Sequence, residues 1–190
     1  MVEKHFMHYL APGFDRSAVL EELMTEYGED VWNFAYFLTR RREMADDISQ
    51  DVFLIAYNRL YTFRGESSVK SWLLSITRNK SLNYLRSAFF RKVVLFGAHQ
   101  HGDRDEGGAT EFSAEQAAMN RAHANDIWAT VMSLPVKHRE VLVLAYHYDL
   151  SMMEIARTLG LSLGTVKSRL FRAKGNMADR MQKIREEEEE

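Results

Sequence analysis

The scarcity of helix-breaking residues constrains this chain more than any other feature of its sequence. Its 190 residues contain only two prolines, Pro12 and Pro135, and ten glycines. Proline removes a backbone hydrogen-bond donor and clashes with the preceding turn, so its scarcity leaves long stretches able to run as helices. We therefore predict that the fold class is all-α.

Apolar residues repeat at helical spacing in two parts of the chain. In the first part Val31, Phe34, Ala35 and Leu38 recur with the period of one helix face. Over 99–114 the composition changes to histidine, glycine and acidic residues, which is typical of a linker with little fixed structure. We predict two small helical domains, an N-terminal bundle and a C-terminal domain, joined by a flexible linker.

The predicted organisation divides the chain into five segments. They are an N-terminal tail over 1–14, a first domain over 15–92, the linker over 93–122, a second domain over 123–185 and an acidic tail over 186–190.

Charge is distributed unevenly, although the formal net charge is only −2. Residues 15–51 hold ten acidic and four basic side chains, whereas 64–92 and 163–185 each hold seven basic side chains and one acid. Two separate basic stretches indicate two contacts with a polyanion, and the acidic stretch suits a basic protein partner. Solvated helix faces without further function are the alternative interpretation of these blocks.

Other classes of protein are disfavoured by what the sequence lacks. It has no cysteine, which excludes disulfides and thiolate metal sites and suits a reducing cytoplasm. Residues 1–10 mix histidine, lysine and glutamate with apolar residues, so they do not have the pattern of a signal peptide. The longest apolar runs, of about six residues, are too short to cross a bilayer. We expect a cytoplasmic protein.

The stretch 149–174 has the pattern of a helix-turn-helix. Ser151 and Glu154 have the spacing of a capping box at the start of one short helix. Gly160 then favours a tight turn, and Ser162 can cap a second short helix. The second helix of this motif lies in the DNA major groove, so the stretch predicts a DNA-reading element. An ordinary three-helix module with a basic exterior is the alternative.

Helical geometry assigns an inner and an outer face to that second helix. With Val166 directed inward and about 100° per residue, Arg172 points away from the core and can donate two hydrogen bonds to a guanine edge. Lys167 can neutralise a phosphate, whereas Arg169 lies nearer the packed side and is assigned a phosphate or ion-pair role. The predicted DNA-binding residues of this helix are Thr165, Lys167, Ser168, Arg169, Phe171 and Arg172.

Four strings in this region carry a resemblance to a known family. They are Ile155-Ala156, Leu159-Gly160, Gly164-Thr165-Val166-Lys167-Ser168-Arg169-Leu170 and Arg172-Ala173. Together they closely resemble the C-terminal domain of extracytoplasmic-function (ECF) sigma factors, which direct bacterial RNA polymerase to promoters. In that family this helix binds the −35 promoter element, so the resemblance implies the same role for the outer residues named above.

The N-terminal half resembles the same family on separate residues. Asp47, Gln50, Asp51 and Leu54 lie at i, i+3, i+4 and i+7, on one face of a helix. The string 46–54 resembles the polymerase-binding helix of the family, although the family more often has glutamate where Asp51 stands. The resemblance implies that this acidic face binds the coiled coil of the polymerase β′ subunit.

A later N-terminal segment resembles the part of the family that opens and reads the −10 element. A flipped base needs an aromatic or apolar pocket and hydrogen-bonding groups, which Phe63, the nearby serines and Asn79 can supply. Asn83 departs from the family, in which many members have aspartate and an ion pair is expected. Packing in the core is the alternative role for Trp72. The predicted −10 DNA-binding residues are Phe63, Arg64, Ser67, Ser68, Trp72, Asn79, Lys80 and Arg86.

The resemblance also implies partners and excludes catalysis. The implied partners are core RNA polymerase, through its β′ coiled coil and β flap, promoter DNA and an anti-sigma factor. No catalytic residue, metal, cofactor or small-molecule substrate is predicted. His99 and His101 could bind a metal only with further ligands at a defined spacing, which the sequence does not offer.

Two other functions compete with this interpretation. A stand-alone helix-turn-helix regulator, with the N-terminal half as a ligand or dimerisation domain, would bind duplex DNA tightly without polymerase. An all-α isoprenoid synthase is suggested by Asp46 and Asp47, since clustered carboxylates bind hard cations. However, Gln50 occupies the usual third aspartate position and no second aspartate-rich motif exists, which disfavours the synthase.

Overall fold

The structure is a computed structural model that describes residues 15–96 and 126–188. All regular elements within these ranges are helical. They are α1 (Arg16–Thr39), α2 (Arg42–Arg59), a 3-10 turn (Leu60–Thr62), α3 (Val69–Phe96), α4 (126–133), α5 (Val136–Tyr146), α6 (Met152–Leu159) and α7 (Leu163–Glu188). The described residues divide into two compact units, the first built mainly from α1 to α3 and the second mainly from α4 to α7.

The first unit packs α1, α2 and α3 against one another around a single apolar core. The Asp15 side chain caps α1 by accepting a hydrogen bond from Ser17 N at 2.8 Å. Arg40, with φ of 60°, ends α1 in the left-handed conformation, and α2 begins two residues later at Arg42.

The predicted apolar face of α1 is confirmed, because Val31, Phe34, Ala35 and Leu38 are all buried. Phe34 is completely inaccessible to solvent. Full burial of such a side chain stabilises the fold by roughly 1.5–3 kcal/mol relative to its exposure. These contacts hold α2 and α3 in place and so determine which of their faces reach the surface.

Helix α3 begins after an irregular segment and extends further than the sequence predicts. Gly65, with φ of 70°, lies in that segment, and Ser68 caps the helix by accepting a hydrogen bond from Ser71 N at 3.1 Å. The helix runs to Phe96, so residues 93–96, which we predicted as linker, are helical. The physical reason is local, since no proline or glycine interrupts the chain between Gly65 and Gly97.

The second unit consists of α4 to α7 around buried residues that include Leu134, Leu144, Ile155 and Val166. Pro135 precedes α5 as its N-cap, with ψ of 142°. In place of the short second helix that we predicted, α7 is 26 residues long. It continues because no proline follows and because Gly175, the one glycine within it after the first turn, is tolerated in a helix interior at a modest cost.

Among the described residues, each helix falls short of the length and apolarity that a membrane span requires. The histidine pair at 99 and 101, the segments 1–14 and 97–125 and the last two residues lie outside the described part of the chain.

Candidate nucleic-acid interface

The two helices α6 and α7 and the turn between them have the capping chemistry that the sequence predicts. Ser151 N donates to Glu154 Oε2 at 2.8 Å, and Glu154 N donates to Ser151 Oγ at 3.3 Å, which confirms the capping box. Gly160 adopts φ of 61°, a conformation that costs glycine little, and its N–H donates to Arg157 O at 3.2 Å. Ser162 Oγ then accepts from Thr165 N at 3.2 Å and caps α7.

The two faces of α7 are those predicted from helical geometry. Val166, Leu170 and Ala173 are buried against the unit. The outward residues form one polar surface, from which Phe171 projects with 80% of its side chain exposed. The exposed residues of this surface are Gly164, Lys167, Ser168, Phe171 and Arg172, and Thr165 is half-buried beside them.

Arg169, on the same helix, is held in an ion pair within the protein. Its Nη1 donates to Glu140 Oε1 of α5 at 2.8 Å. The Glu140 side chain is only 2% exposed and that of Arg169 is 25% exposed. Of the two roles predicted for Arg169, the structure therefore shows the ion pair, which fixes α7 against α5.

A second polar contact joins the same two helices. Asn176 Nδ2 lies 3.0 Å from Nδ1 of His138, which is itself buried. Burial lowers the pKa of His138, and the positive charges of Lys137, Arg172 and Arg169 lower it further. His138 therefore stays neutral at pH 7, so that Nδ1 can accept the amide proton of Asn176.

In the first unit, the predicted −10 residues divide into a packed group and an exposed group. Phe63 is buried against Trp72, with ring centroids 5.1 Å apart, so both rings contribute to the core. Trp72 is only partly buried and keeps some of its surface accessible. Ser68 serves as the α3 cap, and Ser67 is half-buried beside it.

The exposed group lies along one side of α3 and in the loop before it. Asn79 and Arg86 are both exposed and are seven residues apart, which places them on the same helix face as Trp72. Arg64 is exposed in the loop. The structure therefore brings an aromatic edge, an amide and a cation into one row at the surface of α3.

On α2, three of the four predicted polymerase-binding residues share an exposed face. Asp47 and Gln50 are exposed, and Leu54 leaves 61% of its side chain accessible. Asp51 is only partly exposed, and its Oδ2 accepts from Lys80 Nζ of α3 at 2.8 Å. Asp51, which was predicted to contact the polymerase, is therefore paired with Lys80, which was predicted to contact DNA.

An apolar groove of about 430 Å³ in the second unit was not found by sequence reasoning. It lies among α4, α5 and α7 and is lined by Ile127, Trp128, Tyr146 and Met177 among others. Lys174 borders it, with Nζ 5.2 Å from the centre of the Tyr146 ring. Large exposed side chains mark the groove in the structure, since Ile127, Trp128 and Tyr146 are each at least 37% accessible, a property that the sequence alone does not show.

Within the described ranges, no group of three or more histidine, cysteine, aspartate or glutamate side chains is arranged to hold a metal ion. The chemistry that these surfaces offer is recognition by charge, hydrogen bonding and aromatic contact.

Comparison with known proteins agrees with this arrangement. Residues 23–89 match the family model Sigma-70 region 2, and residues 124–177 match the model Sigma-70, region 4. RNA polymerase sigma factor YlaC of Bacillus subtilis is 30% identical over 170 residues, which cover 89% of this chain and 95% of that protein. ECF RNA polymerase sigma factor SigL of Mycobacterium tuberculosis is 32% identical over 162 residues, 83% of this chain and 85% of SigL.

Two solved structures share the fold. Sigma factor RpoE, in its complex with the anti-sigma factor NepR from Bartonella quintana, aligns with a TM-score of 0.67 at 21% identity and covers 85% of this chain and 96% of RpoE. CnrH, in complex with the cytosolic domain of CnrY, aligns with a TM-score of 0.61 at 21% identity over 95% of this chain and 96% of CnrH.

A region 2 module followed by a region 4 module defines a sigma factor, the class of protein that directs transcription initiation. The chain belongs to the ECF family of RNA polymerase sigma factors.

Proposed function

We propose that α7 reads duplex −35 DNA, that α3 captures unpaired bases of the −10 element, and that the exposed face of α2 binds core RNA polymerase. The observation that carries the proposal is the exposed surface of α7, which follows a capped glycine turn and ends in Phe171 and Arg172. The work of the chain is recognition, without covalent chemistry of its own, and we expect it in the cytoplasm with the polymerase.

The α7 surface has the chemical groups that major-groove recognition needs. Arg172 carries a planar fork of donors that matches the O6 and N7 acceptors of guanine. Phe171 offers an apolar contact suited to a thymine methyl group. Lys167 and the hydroxyl of Ser168 supply contacts to phosphate oxygens, which orient the helix without reading sequence.

The Arg172→Ala change is expected to cost about 1–3 kcal/mol of discrimination at one position of the −35 element, because one bidentate base contact is lost. Transcription by holoenzyme from promoters with every −35 substitution would measure this loss. Lys167→Ala is the matched control. It should weaken DNA binding evenly across sequences and reduce the slope of log K against log salt by about 1. An unchanged −35 preference in Arg172→Ala would remove Arg172 from the base readout.

The α3 row supplies what capture of a flipped base requires. An amide has both donors and an acceptor for the edge of a base, and Asn79 presents one at an exposed position. The partly accessible Trp72 offers an aromatic edge, while Arg64 and Arg86 can follow the strand backbone. Phe63 supports this surface from beneath, since it packs on Trp72.

Asn79→Ala is expected to flatten the base preference at the −10 element while leaving the affinity for core polymerase unchanged, because Asn79 lies on α3 and not on the exposed face of α2. A library of −10 sequences, transcribed by holoenzyme at saturating core, would measure the preference. Competition against a labelled sigma factor for core would measure the affinity. A retained base preference would exclude Asn79 from the pocket.

Polymerase is proposed to contact both units. Asp47, Gln50 and Leu54 combine a charge, an amide and an exposed apolar side chain, a composition suited to the basic β′ coiled coil. The apolar groove around Trp128 suits the β flap, because an amphipathic helix can bury its apolar face there. An anti-sigma factor is a further proposed partner, in view of the complex in which the related RpoE was solved.

The proposal is tested with core polymerase, a pull-down and transcription on a promoter library. The sigma-factor function predicts weak DNA binding by the chain alone and promoter-specific initiation once core is added. A core enzyme without the β flap should retain the chain less strongly. Tight, sequence-specific binding to duplex DNA without polymerase, and no directed start site with it, would favour the stand-alone regulator instead.

A further inference from the structure

His138 is a buried titratable side chain between α5 and α7 that has no part in the functions proposed above. It belongs to α5 and is only 8% exposed. Its Nδ1 lies 3.0 Å from Nδ2 of Asn176 on α7. Asn176 is four residues beyond Arg172, which is proposed to read a −35 base, and residues at this spacing share a helix face. The contact therefore lies one helical turn from the proposed base-reading side chain.

The charged groups that act on His138 come from both helices and are cations. Lys137 precedes it on α5, and Arg169 and Arg172 act on it from α7. The nearest acidic residue in the sequence, Glu140, already has a cationic partner, since its Oε1 lies 2.8 Å from Arg169 Nη1. A proton on His138 would therefore add a fourth positive charge to a group of three.

Burial, the largest cause, and these three cations lower the pKa of His138 from its ordinary value of 6.5. The hydrogen bond to Asn176 does not decide which form is favoured, because an amide can turn either its nitrogen or its oxygen to the ring. An imidazolium must instead regain water and move away from the cations, which requires α5 and α7 to separate locally. Since the pKa is lowered in the folded chain, this stabilisation is complete above pH 6.5 and is lost as the pH falls below that value.

We propose that His138 is a positioning residue for the −35 site, which holds the Arg172 side of α7 against α5 only while its imidazole is neutral. Acidification then removes the −35 readout and leaves the functions of the first unit intact. The inference rests on the function proposed above for α7. His138 acts on DNA only through Arg172, whose place in the groove follows from the rotation of α7.

Binding of holoenzyme to fluorescent promoter fragments between about pH 5 and pH 8, the range in which histidine titrates, tests this role. Two fragments differ only at the −35 base whose preference Arg172→Ala relaxes, and the ratio of their affinities is measured. Any added positive charge strengthens non-specific attraction to DNA, and this contribution cancels in the ratio. Proton NMR of the full chain gives the titration of the His138 ring, whose signal is identified by its absence from His138→Gln.

The wild-type ratio is expected to fall about fivefold or more from pH 8 to pH 5, because the contribution of one base contact is lost. The fall should follow the titration of the His138 ring. His138→Gln stays neutral and can still bond to Asn176, so its ratio should hold across the range. Asn176→Asp places a carboxylate against the ring and compensates an imidazolium, so it should also retain the ratio in acid. Lys183→Gln, which removes an exposed cation further along α7, is the matched control and should follow the wild type.

Three results would overturn the proposal: the same pH profile in His138→Gln as in the wild type, a constant wild-type ratio while the His138 ring titrates, or a ring that stays neutral down to about pH 5. If His138→Gln does not fold, which a lost ratio at pH 8 would reveal, Asn176→Asp decides alone, and a fall in acid as large as that of the wild type contradicts the proposal. Failure of the proposed function is seen separately, as a wild-type holoenzyme without a −35 preference at pH 8.

Discussion

Arg169→Met is expected to lower the free energy of unfolding of the second unit by about 3 kcal/mol, because it leaves the buried Glu140 carboxylate without its guanidinium partner. The Glu140 side chain is 2% exposed, so water cannot replace the lost contact. The partial exposure of Arg169 places the expected loss at the lower end of the range for such pairs.

Urea unfolding followed by the fluorescence of Trp128 would measure this loss, with Trp32 and Trp72 changed to phenylalanine so that only the second unit is observed. Lys167→Met is the matched control, since it removes an exposed cation two residues away and should change stability by no more than about 0.5 kcal/mol. Adding Glu140→Met to Arg169→Met should restore much of the stability, because the unpaired buried charge is then gone. Equal urea midpoints of unfolding for Arg169→Met and Lys167→Met would show that the ion pair between Arg169 and Glu140 does not stabilise the packing of α7.

This pair also bears on promoter recognition. Ser168 and Phe171, close to Arg169 in the sequence, are exposed at the outer face of α7. Arg169 itself is directed toward Glu140 of α5. Together with the contact between Asn176 and His138, it fixes the rotation of α7 at two points along its length. That rotation determines which side chains enter the major groove, and a positional error there would weaken base contacts made by residues that are themselves unchanged.

Local features of this fold could be predicted from the sequence because their causes are local. The capping box of Ser151 and Glu154 joins residues three apart, and the inward stripe that begins at Val166 follows from helical periodicity alone. The exposed face of α7 follows from the same geometry. For these features a few neighbouring residues determine the outcome, and the structure agrees with the prediction.

Contacts between helices could not be predicted in the same way. Asp51 and Lys80 are 29 residues apart, and so are Glu140 and Arg169. Periodicity shows that Asp51 lies on the same side of α2 as Asp47, but it does not show that α3 covers only one of them. The groove beside Trp128 requires three helices to be packed before it exists.

The extent of the helices was also underestimated, for a different reason. The linker was predicted to begin at residue 93, from a change in composition over 99–114, yet α3 continues to Phe96. Composition over a window does not locate a helix boundary, whereas the absence of proline and glycine between Gly65 and Gly97 permits the helix to continue past residue 92.

Asp47→Lys is expected to lower the affinity for core polymerase about a hundredfold or more, as measured by competition against a labelled sigma factor. The change replaces an exposed anion by a cation on the face proposed to meet a basic coiled coil, and juxtaposed like charges cost several kcal/mol. Because Asp47 is exposed, the fold should be retained, which thermal unfolding of the variant would verify. Glu26→Lys, an equal charge reversal at an exposed position of α1, is the matched control and should compete as the wild type does.

Salt dependence separates this electrostatic effect from a loss of packing on the same face. Repulsion by the new lysine is screened over about 10 Å at 0.1 M salt and about 3 Å at 1 M, so the defect of Asp47→Lys should shrink as salt is raised. Leu54→Ala removes only apolar contact, because Leu54 is 61% exposed on the free chain, and its defect should change little with salt. If Asp47→Lys competes as well as Glu26→Lys, or if its defect does not respond to salt, the coiled coil does not lie against Asp47 and the polymerase must bind another face of the first unit.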